Sequence, residues 1–203
     1  MLKNANSFAV FDELGQIQAS GPAAEGLFFE DTRYLSRLAM AINGARPLLL
    51  SSTVTEGNTM FSVDLANPES SDRERSKLAP ASIHVLNKIV LGSNALFATL
   101  DLRNYGRELA TVELKLDFDA DFVDLFEVRG THRARRGVVA SVQVAAAGPI
   151  FAYRGLDNVT RRSIVALEPK PRLEGGCARW ELRLAPGKAW RAELEVHCER
   201  DDR

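Results

Sequence analysis

Five carboxylates crowd one stretch of this chain: Asp117, Asp119, Asp121, Asp124 and Glu127. Hydrolysis of a glycosidic bond needs an acid and a second carboxylate about 5 to 9.5 Å apart. On an extended strand Asp117, Asp119 and Asp121 line one face, each about 6–7 Å from the next, which suits an inverting pair. The alternate positions, Phe118, Ala120 and Phe122, are apolar. That is also the pattern of an ordinary strand with one buried face, so the acids are expected to be its wet side and not catalytic. Calcium is the other use for an Asp-x-Asp-x-Asp run. A calcium loop starting at Asp117 would need Gly at its sixth place and Glu at its twelfth. Phe122 and Val128 stand there, and no metal site is expected.

Asp31-Thr32-Arg33-Tyr34 is the second polar cluster. Two residues apart on a strand, Asp31 and Arg33 share a face and could orient a sugar hydroxyl or a carboxylate bidentately. An ion pair pinning a strand end is the favoured reading, with Glu127 and Arg129 as a second such pair. Asp31, Arg33, Tyr34, Glu127 and Arg129 are therefore the candidates for contact with a substrate or a neighbouring domain. Arg129, His132, Arg133, Arg135 and Arg136 crowd the segment before a strand expected over Gly137–Val144. A solvated hairpin tip explains them best. Single-strand nucleic-acid binders add stacking rings that are absent beside these cations.

Other chemistries lack their signatures. The sequence holds no phosphate-binding Walker loop, no dinucleotide-binding GxGxxG and no Gly-x-Ser-x-Gly elbow, so no cofactor is expected. His84, His132 and His197 are scattered, and Cys177 and Cys198 are not spaced as metal ligands. Both cysteines read as half-buried free thiols. The sequon Asn158-Val159-Thr160 means little without a route to secretion.

The elements that must carry these residues are strands. Val112, Leu114, Leu116 and Phe118 alternate with Thr111, Glu113, Lys115 and Asp117, and Ala189–Cys198 repeats the device. Trp180, Leu182 and Leu184 share a face, as do Val138, Ala140, Val142 and Val144. Turn signals separate the runs at Asn43-Gly44, Gly92-Ser93-Asn94, Asn104-Tyr105-Gly106, Gly175-Gly176 and Pro186-Gly187. Asn43-Gly44 is the sharpest hairpin signal. Leu182–Leu184 and Trp190–Val196 read as two strands joined by a short loop. Roughly a dozen strands follow, many near the 8–12-residue spacing typical of sandwiches. Helical periodicity is scarce, and residues 67–80 are expected to be a mobile loop or a single helical turn. The fold class is all-β: a large two-sheet antiparallel sandwich in one domain over residues 1–203.

Lys plus Arg total 26 and Asp plus Glu 27, a formal charge of −1. Proteins that hold nucleic acid by counterion release carry a net basic field, so nucleic acid is not an expected partner. No apolar run reaches the ~20 residues that cross a bilayer. The N-terminus lacks the apolar stretch of a secretory signal, and a cytoplasmic location with no membrane contact is expected. Trp180 and Trp190 share parity with buried leucines and read as core. Tyr34, Tyr105 and Tyr153 are left as sugar-stacking platforms.

Two stretches are more distinctive than strand patterning requires. One is Gly26-Leu27-Phe28-Phe29-Glu30-Asp31-Thr32-Arg33-Tyr34-Leu35-Ser36, followed by Ile42-Asn43-Gly44 and Pro47-Leu48-Leu49-Leu50. The other is Asp121-Phe122-Val123-Asp124-Leu125-Phe126-Glu127-Val128-Arg129-Gly130. Both resemble the N-terminal domain of bacterial and archaeal glycogen debranching enzymes, the amylo-α-1,6-glucosidase-like proteins. Tyr153-Arg154-Gly155-Leu156-Asp157 and Leu184-Ala185-Pro186-Gly187 are weaker echoes, and together the motifs cover nearly the whole chain in order. The resemblance implies a large β-sandwich in front of a downstream (α/α)-barrel that carries the catalytic carboxylates. It implies no catalytic residue here, a barrel of the same polypeptide as partner, and α-glucan as a further one. The ending just after a strand, Cys198-Glu199-Arg200-Asp201-Asp202-Arg203, is expected to be a cut through a longer chain. The alternative expectation is a free-standing carbohydrate-binding domain.

Overall fold

The computed structural model describes residues 1–19, 24–55, 57–69 and 78–201. The residues 70–77, within the expected 67–80 loop, lie outside the described residues. In chain order the strands are β1 (Leu2–Asn4), β2 (Ser7–Val10), β3 (Ile17–Gln18), β4 (Gly26–Phe29), β5 (Thr32–Leu35) and β6 (Arg37–Ile42). There follow β7 (Leu48–Val54), β8 (Met60–Ala66), β9 (Ile83–Leu91), β10 (Ala95–Asn104) and β11 (Ala110–Asp119). A one-turn helix α1 (Leu125–Val128) precedes β12 (Val138–Val139), β13 (Gln143–Val144) and β14 (Pro149–Arg154). The chain closes with β15 (Thr160–Glu168), β16 (Arg172–Glu174), β17 (Cys177–Leu184) and β18 (Ala189–Asp201). Strand occupies 59% of the structure and helix 2%, which makes the class all-β. Five of these strands, β1, β3, β12, β13 and β16, are two or three residues long and too short to leave a periodic signal.

Pairing is antiparallel throughout. The strands form a nine-stranded sheet ordered β12-β14-β15-β18-β10-β9-β8-β7 with β13 also on β14, a five-stranded sheet β16-β17-β11-β6-β3 and a four-stranded sheet β1-β2-β4-β5. The smaller two abut at Ser36, where β5 runs into β6. Ser36 N–H donates to the Asp119 carbonyl at 2.9 Å and Arg33 N–H to the Val123 carbonyl at 2.8 Å. The nine-stranded sheet lies across both. Leu38, Met40 and Leu116 of the five-stranded sheet meet Ala98, Leu100 and Leu194 of the nine-stranded one. Ser163 on β15 donates its hydroxyl to the Tyr34 carbonyl on β5. The two expected sheets are thus three, arranged in two layers of a sandwich around one continuous apolar core.

Alternation fixes the register of the core. Val112, Leu114, Leu116 and Phe118 are buried on β11, as are Ala192, Leu194, Val196 and Cys198 on β18. Truncating the fully buried Leu114 to Ala would cost about 2–5 kcal/mol, since the packed layers cannot collapse into the space. Trp180 is buried and donates its indole N–H to the Pro169 carbonyl at 2.7 Å. It meets the half-buried Trp190 edge-on at 5.6 Å, so the pair is core as expected.

Three expectations are corrected. Asn43 and Gly44 do form a turn with both residues at positive φ, 49° and 77°, bridged by Ile42 and Ala45. Yet β6 and β7 belong to different sheets, so this is an arch and no hairpin. The strands β17 and β18 on either side of Pro186-Gly187 likewise lie in different sheets. A turn signal specifies chain reversal; whether the strands pair or face each other depends on which sheet offers a free edge. Third, Val138, Ala140, Val142 and Val144 share no buried face. All four are exposed, and only the two-residue strands β12 and β13 pair with β14.

Candidate functional site

The two distinctive motifs meet at one edge of the molecule. Strands β4 and β5 are joined by a two-residue turn, Glu30-Asp31, with φ of 46° and 60°, and Phe29 pairs with Thr32 across it. This primed geometry matches the strand twist. Asp31 therefore stands in the turn, exposed, and not on a strand face beside Arg33. Its carbonyl accepts from Leu125 N–H at 3.0 Å, and Thr32 bridges Asp124, so the second motif is clamped onto the first.

Arg33 turns inward, with 4% of its surface exposed. Its partner is Asp121: Nε donates to Oδ1 at 3.0 Å and Nη2 to Oδ2 at 2.5 Å. Nη1 donates to the Glu25 carbonyl at 3.1 Å. The expected Asp31–Arg33 pairing is replaced by one spanning 88 residues, which no local spacing can reveal. Asp121 can reach Arg33 because β11 ends at Asp119 and Phe122 takes a positive φ of 50°. The row Asp117–Asp119–Asp121 is broken by the same bend. Asp117 pairs with Lys115 at 2.8 Å instead.

Helix α1 was not expected, although its signal stands in the sequence as Asp124-x-x-Glu127. Asp124 accepts from the N–H groups of Phe126 and Glu127, at 2.8 and 2.9 Å, and Glu127 reaches back to Asp124 N–H at 3.2 Å. This is a capping box, in which each side chain satisfies an orphan donor. Burial opposes charge on Asp124, but the cap N–H groups and the Arg133 guanidinium outweigh it and hold the carboxyl below its ordinary range. Arg133 pairs with Asp124, and Arg136 with Glu127 at 3.3 Å and with the Asp121 carbonyl at 2.6 Å. Two of the cations expected at a solvated tip are thus folded back onto the acidic motif. Glu127 is paired with Arg136 rather than with Arg129, which is exposed at the helix C-terminus.

Tyr34 lies in the core at 1% exposure, edge-on to Phe29 and Phe122 at 5.8 and 5.6 Å. Its hydroxyl has no hydrogen-bond partner among the described residues. Burial, with the Cys198 thiol nearby, pushes the phenol above the ordinary tyrosine range. It is unavailable as a sugar platform. Tyr153 is engaged too: its ring stacks on Phe122 at 5.7 Å, Arg136 covers it, and its hydroxyl accepts from Gly137 N–H at 2.9 Å.

Around these contacts lie two hollows. An open polar cleft of about 390 Å³ is lined by Arg33, Asp121, Glu127, His132, Arg133 and Arg136. An apolar groove of about 340 Å³ is lined by Phe8, Val10, Phe28, Leu125, Val128 and Arg129. Phe8 and Phe28 stack at 4.4 Å within it, and Phe126 stands 62% exposed in the same helix. A larger polar hollow elsewhere, about 550 Å³, has walls whose charges already pair, as in Arg200–Glu30 at 2.7 Å. Among the described residues no group of three metal-ligating side chains comes together, and no helix is long and apolar enough to cross a membrane.

In the cleft each carboxylate is held by an arginine and none stands poised against a second acid. Fold and site define an all-β sandwich domain with a salt-bridged cleft beside an apolar groove. The family model for the N-terminal domain of (some) glycogen debranching enzymes matches residues 2–195, and the chain belongs to that family. No curated protein matches. Among solved structures, a candidate kojibiose phosphorylase from the human microbiome shares the fold at a TM-score of 0.56 with 11% identity, over 87% of this chain and 23% of that one. The chain thus spans under a quarter of that protein's length. A polysaccharide lyase matches at a TM-score of 0.43 with 11% identity, over 99% of this chain and 34% of the other. A candidate aldose 1-epimerase from Escherichia coli K12 matches at 0.36 with 11% identity, over 76% and 69%.

Proposed function

We propose that this chain is a non-catalytic β-sandwich domain that packs on a downstream (α/α)-barrel catalytic domain of the same polypeptide and helps shape its α-glucan site. The observation that carries this reading is the apolar groove of Phe8, Val10, Phe28, Leu125 and Val128, beside the exposed Phe126. Both family motifs contribute to it, and an apolar groove beside an exposed ring marks an interaction surface. The Arg33–Asp121 and Asp124–Glu127 contacts then have a structural task. They fix the shape of the groove and the adjoining cleft by clamping the second motif onto the first.

Two measurements test the proposal. The purified chain should release no reducing sugar from glycogen. Joined to its downstream segment it should melt at a higher temperature, and Phe126→Asp should remove that gain while leaving the isolated chain unchanged. Equal melting of the joined and isolated forms would speak against a packed seam.

A further inference from the structure

Of the three tyrosines that could stack on a sugar, Tyr105 alone offers an open ring, with 66% of its surface exposed. It stands on the turn between β10 and β11, and that turn is braced. Asn104, 1% exposed, accepts from Gly106 N–H at 2.7 Å and donates to the carbonyls of Glu108 and Leu184 at 2.9 and 2.8 Å. Tyr105 N–H itself donates to the Ser82 carbonyl at 2.8 Å. The backbone that carries the ring is therefore fixed before any ligand arrives, which lowers the entropic cost of binding.

Polar groups converge beside it on the outer face of the nine-stranded sheet. His84 meets the Tyr105 ring edge-on at 6.0 Å, and its Nε2 lies 2.9 Å from Asp64 Oδ1. The other Asp64 oxygen accepts from the Ser51 hydroxyl at 2.8 Å. Arg103, opposite His84 in the sheet register, places its guanidinium 6.0 Å from the ring centroid and makes no ion pair among the described residues. An apolar ring face flanked by a guanidinium and by an imidazole that a carboxylate orients matches a pyranose, which presents a C–H face and a rim of hydroxyls. A few fixed polar groups around an apolar contact give such sites their specificity.

We infer that Tyr105, with His84 and Arg103 beside its ring and Asp64 orienting His84, forms a surface seat for one pyranose unit of a neutral glycan. It is separate from the docking face. Tyr105 precedes β11 and Asp121 follows it, so a ten-residue strand, about 30 Å of extended chain, lies between the two. Failure of one proposal leaves the other standing.

The test is titration of the 203-residue chain with maltoheptaose and, separately, cellohexaose, followed by calorimetry or amide shifts. Saturable binding to either is expected. Tyr105→Ala should weaken it at least tenfold and Asp64→Asn several-fold, while Tyr105→Phe keeps most of it because the ring, not the hydroxyl, makes the contact. Tyr105 is exposed, so its Ala variant should melt as the parent does. Absence of saturable binding to both oligosaccharides would overturn the inference. So would binding by Tyr105→Ala equal to that of the parent.

Discussion

Asp121→Asn isolates the contact that ties the two family motifs together. Arg33 is 4% exposed, and the substitution removes the charge that receives its two donors at 3.0 and 2.5 Å, while neutral acceptors such as the Glu25 carbonyl at 3.1 Å stay in place. Breaking a buried ion pair from one side costs about 3–5 kcal/mol, because the remaining charge is stranded away from water. The Asp121 side chain is 33% exposed, so water softens the loss, and about 2–3 kcal/mol is the expected figure. In a chain of 203 residues each kcal/mol moves the melting point by about 2–4 °C, giving a drop of about 4–12 °C. Nature supplies a control on the opposite layer. Arg191 grips Asp101 in the same bidentate fashion, at 2.7 and 3.1 Å, and Asp101 is 30% exposed, but Arg191 is 63% exposed. Asp101→Asn should leave the urea midpoint where it was. Urea unfolding of the two variants beside the parent makes the comparison. Equal midpoints for both would refute the reasoning that burial of the arginine sets the value of the pair.

Gly26 sits against the same arginine: a Cβ there would lie 2.5 Å from Arg33 Cδ and 2.9 Å from Phe28 Cε2. Gly26→Ala should therefore destabilise by about 1–3 kcal/mol, and in a double-mutant cycle by urea unfolding its cost should not add to that of Asp121→Asn. Asp124 carries a pH signature. Its folded-state carboxyl titrates below the unfolded value of about 3.9, so its stabilisation is present above about pH 4 and lost as pH falls through the depressed value. Asn also caps helices; the gap in urea midpoint between parent and Asp124→Asn should hold at neutral pH and close in acid, and a gap unchanged at low pH would count against the assignment. Cys198 is 1% exposed and burial pushes its thiol up, whereas Cys177 is half-buried. A thiol reagent should titrate one cysteine rapidly in the folded chain and two in urea; two fast thiols without denaturant would contradict the packing of β18.

The all-β class was legible because β11 and β18 run long enough for period-two alternation to declare their buried faces. The connectivity was less so. Asn43-Gly44 states that the chain reverses, and nothing within a few residues says that β6 and β7 will join opposite layers. Val138 to Val144 alternate as a buried strand would, yet no layer covers them, since burial is a property of what packs opposite. The candidate site divides the same way. The capping box of Asp124 and Glu127 is local and could have been read; the Arg33–Asp121 pair closes over 88 residues and could not. Tyr34 follows Thr32 and Arg33 on β5, and its burial follows from the layer above it, which the sequence does not place.

The proposed seam is open to one direct measurement: amide hydrogen exchange of this chain alone and of the same chain joined to the proposed downstream domain. Protection should rise at Phe8, Phe28 and Leu125–Arg129 in the longer form and stay level around Tyr105. Exchange at the groove that is indifferent to the downstream segment would mean that this face meets no catalytic domain.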